Sequence, residues 1–513
     1  MAKVEEPTIE VKLFVDKEKR KVLFAESGKE FVDVLFSFLT MPLGTIVRLL
    51  GKQSQMGCLD EVYKSVEDLS ADCFQTKACK AMLLNPLSAA ASHCYRLKIN
   101  IDDTKPRAVY VCKDTSCCAH ADCLFSSVPG TLCICGKVME YVGDRVVTPY
   151  EAVGSGNGVF VDGRWKFIVT DDLQVAPAST SLMLSLCEEF GVQDPGHLEQ
   201  TVLQLTSEKI TSLLKRSLTS KQPLTGLHLD VPISPDDASL RTLPGTLFPE
   251  HLNLDEDMIG QVKIKVLQTK NNSSVLYAEA GHDFVDIVFG LLSVPLGSIV
   301  HAFGHRAPKG CIDNLYRSIS GSAIGCMKPE CKGLLLTPEL PPFFGSGASQ
   351  TLLVNALAPR KLNISSCFAC FKIGGFSNLR RCHEQVERWN AHSKQYVHEY
   401  TNCKKITKTA ELCELDPKSP EGKNRNYDAY VKQAPQSFMV TDQLHVRPLS
   451  LDSSLRVVSE AKIQMKELME KEVTLTKLQV MELQRAALVS RDALTSVLLP
   501  PMKKNLNLNH LRY

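Results

Sequence analysis

The stretch AESGKEFVDVLFSFLTMPLGTIVRLLG, residues 25–51, decides how the rest of the chain is read. Its first part predicts a helix with Phe31, Leu35, Phe38 and Leu39 on one face. Ser27 and Glu30 have the spacing of a capping box at its entrance. Pro42 ends it, because proline disfavours helical geometry in the residue before it and has no N–H to donate. Leu43 to Leu50 then predicts a second short helix closed by Gly51, so Pro-Leu-Gly reads as a helix–helix corner. Asp33, Pro42 and Arg48 lie inside this most apolar part of the chain. They argue for buried helices and against a bilayer span.

The same phrase returns as AEAGHDFVDIVFGLLSVPLGSIVHAFG, residues 278–304, at a constant offset of 253. Working outward, Gly57-Cys58 matches Gly310-Cys311 and Tyr63 matches Tyr316. AMLLNP at 81–86 matches GLLLTP at 333–338, and FIVTDDLQVAP from Phe167 matches FMVTDQLHVRP from Phe438. The chain reads as a tandem duplication of a unit of roughly 220 to 240 residues, with extra residues between Val354 and Phe438 of the second copy. The expected division is a first unit at 1–230, a linker at 231–260 and a second unit at 261–513. The linker carries four prolines and six acidic residues.

Each unit is expected to be α+β. IEVKLFVD and KVLFAES flank a charged turn, Asp16 to Arg20, and predict a β-hairpin. Helices are expected at Leu59 to Leu69, Ser179 to Phe190 and Ser207 to Leu218. PLTGLHL from Pro223 and ALTSVLL from Ala493 read as closing strands. A cysteine-rich insert at about 105–150 interrupts the first unit, and a diverged one at about 355–437 the second.

AESGKEFVDVLFSFLTMPLGTIVRLL, GCLDEVYKSVEDL and FIVTDDLQV resemble a plant family known as domain of unknown function 674, over nearly the whole chain. The resemblance implies a land-plant protein built from tandem units, and it supplies no catalytic residues.

With 513 residues, 44% hydrophobic and 23% charged, the composition is that of a folded protein of several domains. A net charge of +2 advertises no broad nucleic-acid face. The polar start MAKVEEPTIEVK lacks a secretory pattern, so a reducing cytosolic or nuclear compartment is expected. There the nineteen cysteines are thiols or metal ligands, not disulfides.

The strongest chemical signal is YVCKDTSCC…TLCICGK. Cys112 and Cys117 form one pair and Cys133 and Cys135 another, roughly fifteen residues on. Two such pairs can supply four thiolates to a structural zinc, although neither has the usual two-residue spacing. Cys118 could replace Cys117, and His120 or Cys123 could join. A set of reduced thiols or a reactive thiol are the alternatives. In the second copy Cys403 stands opposite Cys135, but Thr401 replaces Cys133. Cys367, Cys370, Cys382 and His383 lie nearby, and loss of the metal is expected. The repeated pairs Cys58 and Cys311, Cys73 and Cys326, and Cys79 and Cys331 read as buried apolar thiols.

VGSGNGVF, residues 153–160, lacks the Gly-Lys-Ser/Thr ending of a phosphate loop and reads as a hairpin loop. Asp102-Asp103 and Asp171-Asp172 read as solvated or capping acids. His93 and Cys94 are neighbours whose side chains should point apart. No Gly-x-Ser-x-Gly and no His-Glu-x-x-His occurs. Lys105, Arg107, Lys113 and Lys137 are interleaved with acids and make no basic stripe, which argues against nucleic acid as a partner.

The expected function is a non-enzymatic interaction or scaffold protein with a structural zinc in the first unit and a protein partner. The alternatives are a small-molecule enzyme with a cleft between the units and a zinc-dependent nucleic-acid binder.

Overall fold

The computed structural model describes residues 6–105, 108–112, 124–144, 158–232, 262–303, 310–367, 373–374, 383–390, 395–402, 407–420 and 428–500. Nearly all of the expected linker lies outside them. The architecture is α+β.

β1 (Ile9–Asp16) and β2 (Lys21–Ser27) pair antiparallel. Asp16 fixes their turn, its carboxylate accepting the N–H groups of Glu18 and Lys19 at 3.0 Å. Three strands of the insert follow: β3 (Ala108–Val111), β4 (Leu124–Ser126) and β5 (Glu140–Asp144). β6 (Phe167–Thr170), β7 (Val175–Pro177) and β8 (Leu198–Leu205) then join the hairpin in a sheet ordered β7-β6-β2-β1-β8. The later part repeats the plan. β9 (Val262–Thr269) and β10 (Val275–Ala280) form a hairpin, and β9 alternates buried and exposed residues in the same pattern as β1. β11 (Lys361–Cys367), β12 (Ile373–Gly374), β13 (His383–Asn390), β14 (Gln395–Asn402) and β15 (Thr407–Glu414) belong to the second insert. β16 (Phe438–Thr441), β17 (Val446–Pro448) and β18 (Leu468–Leu475) complete a sheet ordered β17-β16-β10-β9-β18.

The two Pro-Leu-Gly corners meet each other. The helix Lys29–Ser37 tightens into a 3₁₀ turn at Phe38–Thr40, and Pro42 is the N-cap of the helix Leu43–Leu49. Pro42 lies opposite Pro295 in an antiparallel bridge. Neither proline can donate, so the neighbours do. Leu43 N–H reaches Val294 O at 3.0 Å, and Leu296 N–H reaches Met41 O at 2.9 Å. Glycine follows because the backbones approach so closely. A Cβ on Gly297 would stand 2.8 Å from Leu335 O and 2.9 Å from Leu39 O, and one on Gly44 would stand 3.0 Å from Leu292 O and Leu83 O. Leu43, Ile46, Leu296 and Ile299 are buried around this crossing, and one apolar cluster runs continuously through both halves.

Each half also lends backbone to the other. The helix Leu59–Asp68 docks beside β17, where Ser65 Oγ accepts Val446 N–H at 2.8 Å. In the same way Ser318 Oγ, on the helix Cys311–Ser320, accepts Val175 N–H of β7 at 2.9 Å. Val161 bridges Met327, and Phe74 bridges Val431. Buried acids fasten these crossing segments. Asp33 accepts the N–H groups of Val159, Phe160 and Val161 at 2.6, 2.7 and 3.1 Å, while Asp286 accepts those of Tyr430 and Val431 at 2.5 and 3.3 Å. Burial pushes both carboxyls up to about 6, against the pull of those N–H groups and of a lysine beside each, Lys328 and Lys418. Lys418 is itself buried. Its Nζ donates to Gly345 O at 2.6 Å and lies 4.7 Å from the centre of the Tyr430 ring.

Two expectations are corrected. PLTGLHL and ALTSVLL contain the helices Pro223–His228 and Ala493–Leu498, not strands. A short apolar run carries no decisive period, and Pro223 in the first turn suits a helix start. The edge beside β1 and β9 is instead supplied by β8 and β18. Ser27 does not cap the first helix. It ends β2, Gly28 takes the N-cap position, and no side-chain capping bond forms.

Gly297→Ala should lower stability by about 1 to 3 kcal/mol, since the methyl group meets backbone that cannot rotate away. Denaturant melts of the full chain measure this, and an unchanged midpoint would mean that the crossing is loose. Asp33→Ala strands three buried N–H groups and should cost at least about 3 kcal/mol in the same assay. A loss below about 1 kcal/mol would show that water satisfies them.

Candidate metal centre

The first insert is built for close approach of thiols. β3 ends at Val111, and Cys112 follows it into a small apolar cluster with Cys133, Met139 and Leu415. Residues 131–139 form a tight hairpin in which Met139 N–H donates to Thr131 O at 2.9 Å and Cys133 N–H to Lys137 O at 2.8 Å. At its tip Gly136 N–H donates to Cys133 O at 2.8 Å. That turn needs φ +79° at residue 136, in the left-handed region that glycine enters without strain. Folding the chain back at Gly136 brings Cys133 and Cys135 to one point.

The sulfurs of Cys112, Cys133 and Cys135 lie within 4.8 Å of one another, and those of Cys112 and Cys135 are 3.6 Å apart. Cys112 and Cys133 are buried and Cys135 is exposed. Three thiols at such separations could hold a metal ion, since the sulfur–sulfur edge of a tetrahedral thiolate site is about 4 Å. Cys117, Cys118, His120 and Cys123 lie outside the described residues, as do Cys370, Cys382 and Cys403. Cys367, His383 and Thr401 fall on β11, β13 and β14.

This centre sits on a seam. The two inserts share one six-stranded sheet, ordered β12-β11-β15-β4-β3-β5, in which β15 runs parallel to β4 with Cys413 opposite Leu124 and Glu414 opposite Phe125. Leu415 N–H donates to Phe125 O at 2.8 Å, which places its side chain against Cys112 and Cys133. Beside it Glu414 is buried and accepts from Ser127 Oγ at 2.8 Å and from Arg360 Nε at 2.8 Å.

The other residues singled out in the sequence serve the core. Burial pushes the thiols of Cys58 and Cys94 up to about 12 and those of Cys79 and Cys331 up to about 11, and it raises Cys73, Cys311 and Cys326 as well. Cys58 and Cys311 each donate to a carbonyl of the opposite half, Ser490 O and Ser220 O. His93 and Cys94 diverge: the His93 ring stacks near Phe160, and Cys94 Sγ lies 3.6 Å from Thr40 Oγ1. Asp171 is a buried acid that holds Thr225 through its N–H at 2.9 Å and its hydroxyl at 2.7 Å. Asp442 holds Thr495 in the same way, at 2.8 and 2.6 Å. The end of VGSGNGVF gives its backbone N–H groups to Asp33. Asp171, read in the sequence as a solvated or capping acid, is not solvated, and the roles of Asp33 and Asp286 were missed, although an acid repeated inside an apolar helix was a signal that each has a buried partner.

With this geometry in place, a family model described as "Protein of unknown function (DUF674)" matches residues 5–478. The chain belongs to the DUF674 family. Neither a curated protein nor a solved structure matches it. Among the described residues of this DUF674 chain, no helix is long and apolar enough to cross a membrane.

Gly136→Val should strain the hairpin tip by about 1 kcal/mol or more and move Cys135 away from the other two thiols. Spectroscopic titration with cobalt(II), which reports thiolate coordination in the visible range, should show a weaker site. An unaltered titration would mean that the turn does not hold the ligands.

Proposed function

We propose that this DUF674 protein is a non-enzymatic interaction or scaffold protein of the plant cytosol or nucleus. In this reading a structural zinc is held by Cys112, Cys133 and Cys135, with Cys117 as the fourth ligand. The proposal includes the division into units at 1–230 and 261–513 with a linker at 231–260, and a metal confined to the first unit. The convergence of three thiols on a glycine-tipped hairpin carries it. Zinc suits them, because soft thiolates favour it and a closed four-thiolate set leaves no position for substrate.

Three further observations support a scaffold over an enzyme with a cleft between the units. Where the halves cross, the described residues are packed solid: Leu43, Ile46 and Leu292 are 0% exposed. Three of the acids whose pKa burial raises, Asp33, Asp171 and Asp286, accept backbone N–H groups of neighbouring segments, which is the work of pins. Apolar side chains meanwhile face outward from the helices that cover the two sheets. Leu451 is 85% and Leu455 57% exposed on the helix Leu451–Ala461, and Leu184 is 59% exposed on the helix Thr180–Glu189.

Elemental analysis of the full chain, purified with reductant, should find about one zinc per chain, and the double variant Cys112→Ser/Cys135→Ser should lose it. Wild-type protein that stays metal-free after incubation with zinc and desalting would refute the metal reading.

A further inference from the structure

We infer that Cys112 and Cys135 form a peroxide-responsive thiol–disulfide switch at this centre. Their sulfurs lie 3.6 Å apart, and a disulfide requires that gap to close to about 2 Å. Their exposures divide the labour. Cys135 stands on the exposed tip of the hairpin, where Ile134 and Val138 are also 41% and 54% exposed, so a dissolved oxidant reaches it. Cys112 is buried directly behind it at the end of β3, in place to resolve the oxidised sulfur.

Cys133 is a poorer partner. Its N–H is bonded to Lys137 O and its carbonyl to Gly136 N–H, so it is fixed in the turn and separated from Cys135 by one residue. A Cys-x-Cys disulfide would have to close a small ring against those bonds. The core thiols Cys58, Cys79, Cys94 and Cys331 are buried. A dissolved oxidant does not meet them first, as it meets the exposed Cys135.

The chemistry balances with hydrogen peroxide as the oxidant. The Cys135 thiolate attacks one peroxide oxygen, the O–O bond breaks, and Cys135 becomes a sulfenic acid while the other oxygen leaves as hydroxide and is protonated to water. The sulfur of Cys112 then attacks the sulfur of Cys135. The S–O bond breaks, the S–S bond forms, and the hydroxyl group leaves as a second water with the Cys112 proton. Two thiols and one peroxide thus give one disulfide and two waters, the sulfurs losing two electrons. Two thiolate ligands vanish in that step, so a bound zinc would be released as the divalent ion. The release rests on the proposed zinc site, whereas the disulfide does not. Because Leu415 packs on Cys112 and Cys133, the oxidation acts at the seam between the two inserts.

The test uses the full chain, reduced and supplied with zinc, then treated with hydrogen peroxide, alkylated and digested without reductant. Peptide mass spectrometry should find Cys112 joined to Cys135 with the loss of two hydrogens, reversed by a thiol reductant, and a zinc-sensitive dye should register release in step. Cys133→Ser should keep the cross-link although it removes a ligand, and Cys135→Ser should abolish it. Conversion of Cys135 to sulfinic or sulfonic acid without a cross-link overturns the switch. So does a Cys133–Cys135 bond, or a bond from Cys112 to any other cysteine. A chain that binds no zinc but forms the cross-link removes the metal reading and leaves the switch standing. A chain that binds zinc and forms no cross-link does the reverse.

Discussion

The rest of the fold depends on the approach of two backbones at Pro42 and Pro295. Proline at both positions ends a helix and removes a donor, so the bridge is made by the residues that flank it. Glycine two positions later lets the next helix lie against carbonyl oxygens of the opposite half at distances a side chain would forbid. Once the corners are this close, the helices on either side share one apolar interior, and the surface each half would otherwise show to water is covered by the other. The repeated phrase is therefore a self-complementary contact, related to itself across the crossing much as an isologous interface is in a symmetric dimer.

Interlocking of this kind needs register as well as apolar area, because hydrophobic burial has no direction. The buried acids supply the direction. Asp33 and Asp286 each select particular N–H groups on a segment of their own half that bridges to the other, and Asp171 and Asp442 fix the short helices at Thr225 and Thr495. A carboxylate removed from water costs free energy, which raises its pKa. A cradle of N–H donors offsets much of that cost only when every bond is made. A slipped segment would leave the charge unpaired, so the acids penalise wrong registers more than they stabilise the right one.

What could be read from the sequence follows the range of the forces involved. The hairpins, the helix–corner–helix stretch and the helices Thr180–Glu189 and Ser207–Thr219 rest on local periodicity and on Pro and Gly, and they were legible. The spacing of Cys133, Cys135 and Gly136 was legible for the same reason, since a turn and its thiols are one local object. Pro223–His228 was misread because six residues hold too little period to tell a helix from a strand. Ser27 was misread because its strand claimed it before the helix began. The crossing of Val161 to Met327 and of Phe74 to Val431 was not legible at all. It joins positions far apart in sequence, and a periodic pattern says that a face is buried but never against what.

The six-stranded sheet shows why the thiols matter to more than their own hairpin. Its two halves are joined by the parallel pairing of β15 with β4, which covers two residue pairs among the described residues. Among the described residues that is a shorter register than the eight pairs that hold β8 to β1. Side chains add to the seam. On one side of it Glu414 binds Ser127 and Arg360 in a buried polar group, and on the other Leu415 lies against Cys112, Cys133 and Met139. The polar group is fixed once its hydrogen bonds are made. The thiol group is not, because its chemistry can change with a ligand or an oxidant while the chain stays folded around it. On the proposed switch, that difference makes the cysteine side of the seam the place where the joining of the two inserts would be altered from outside.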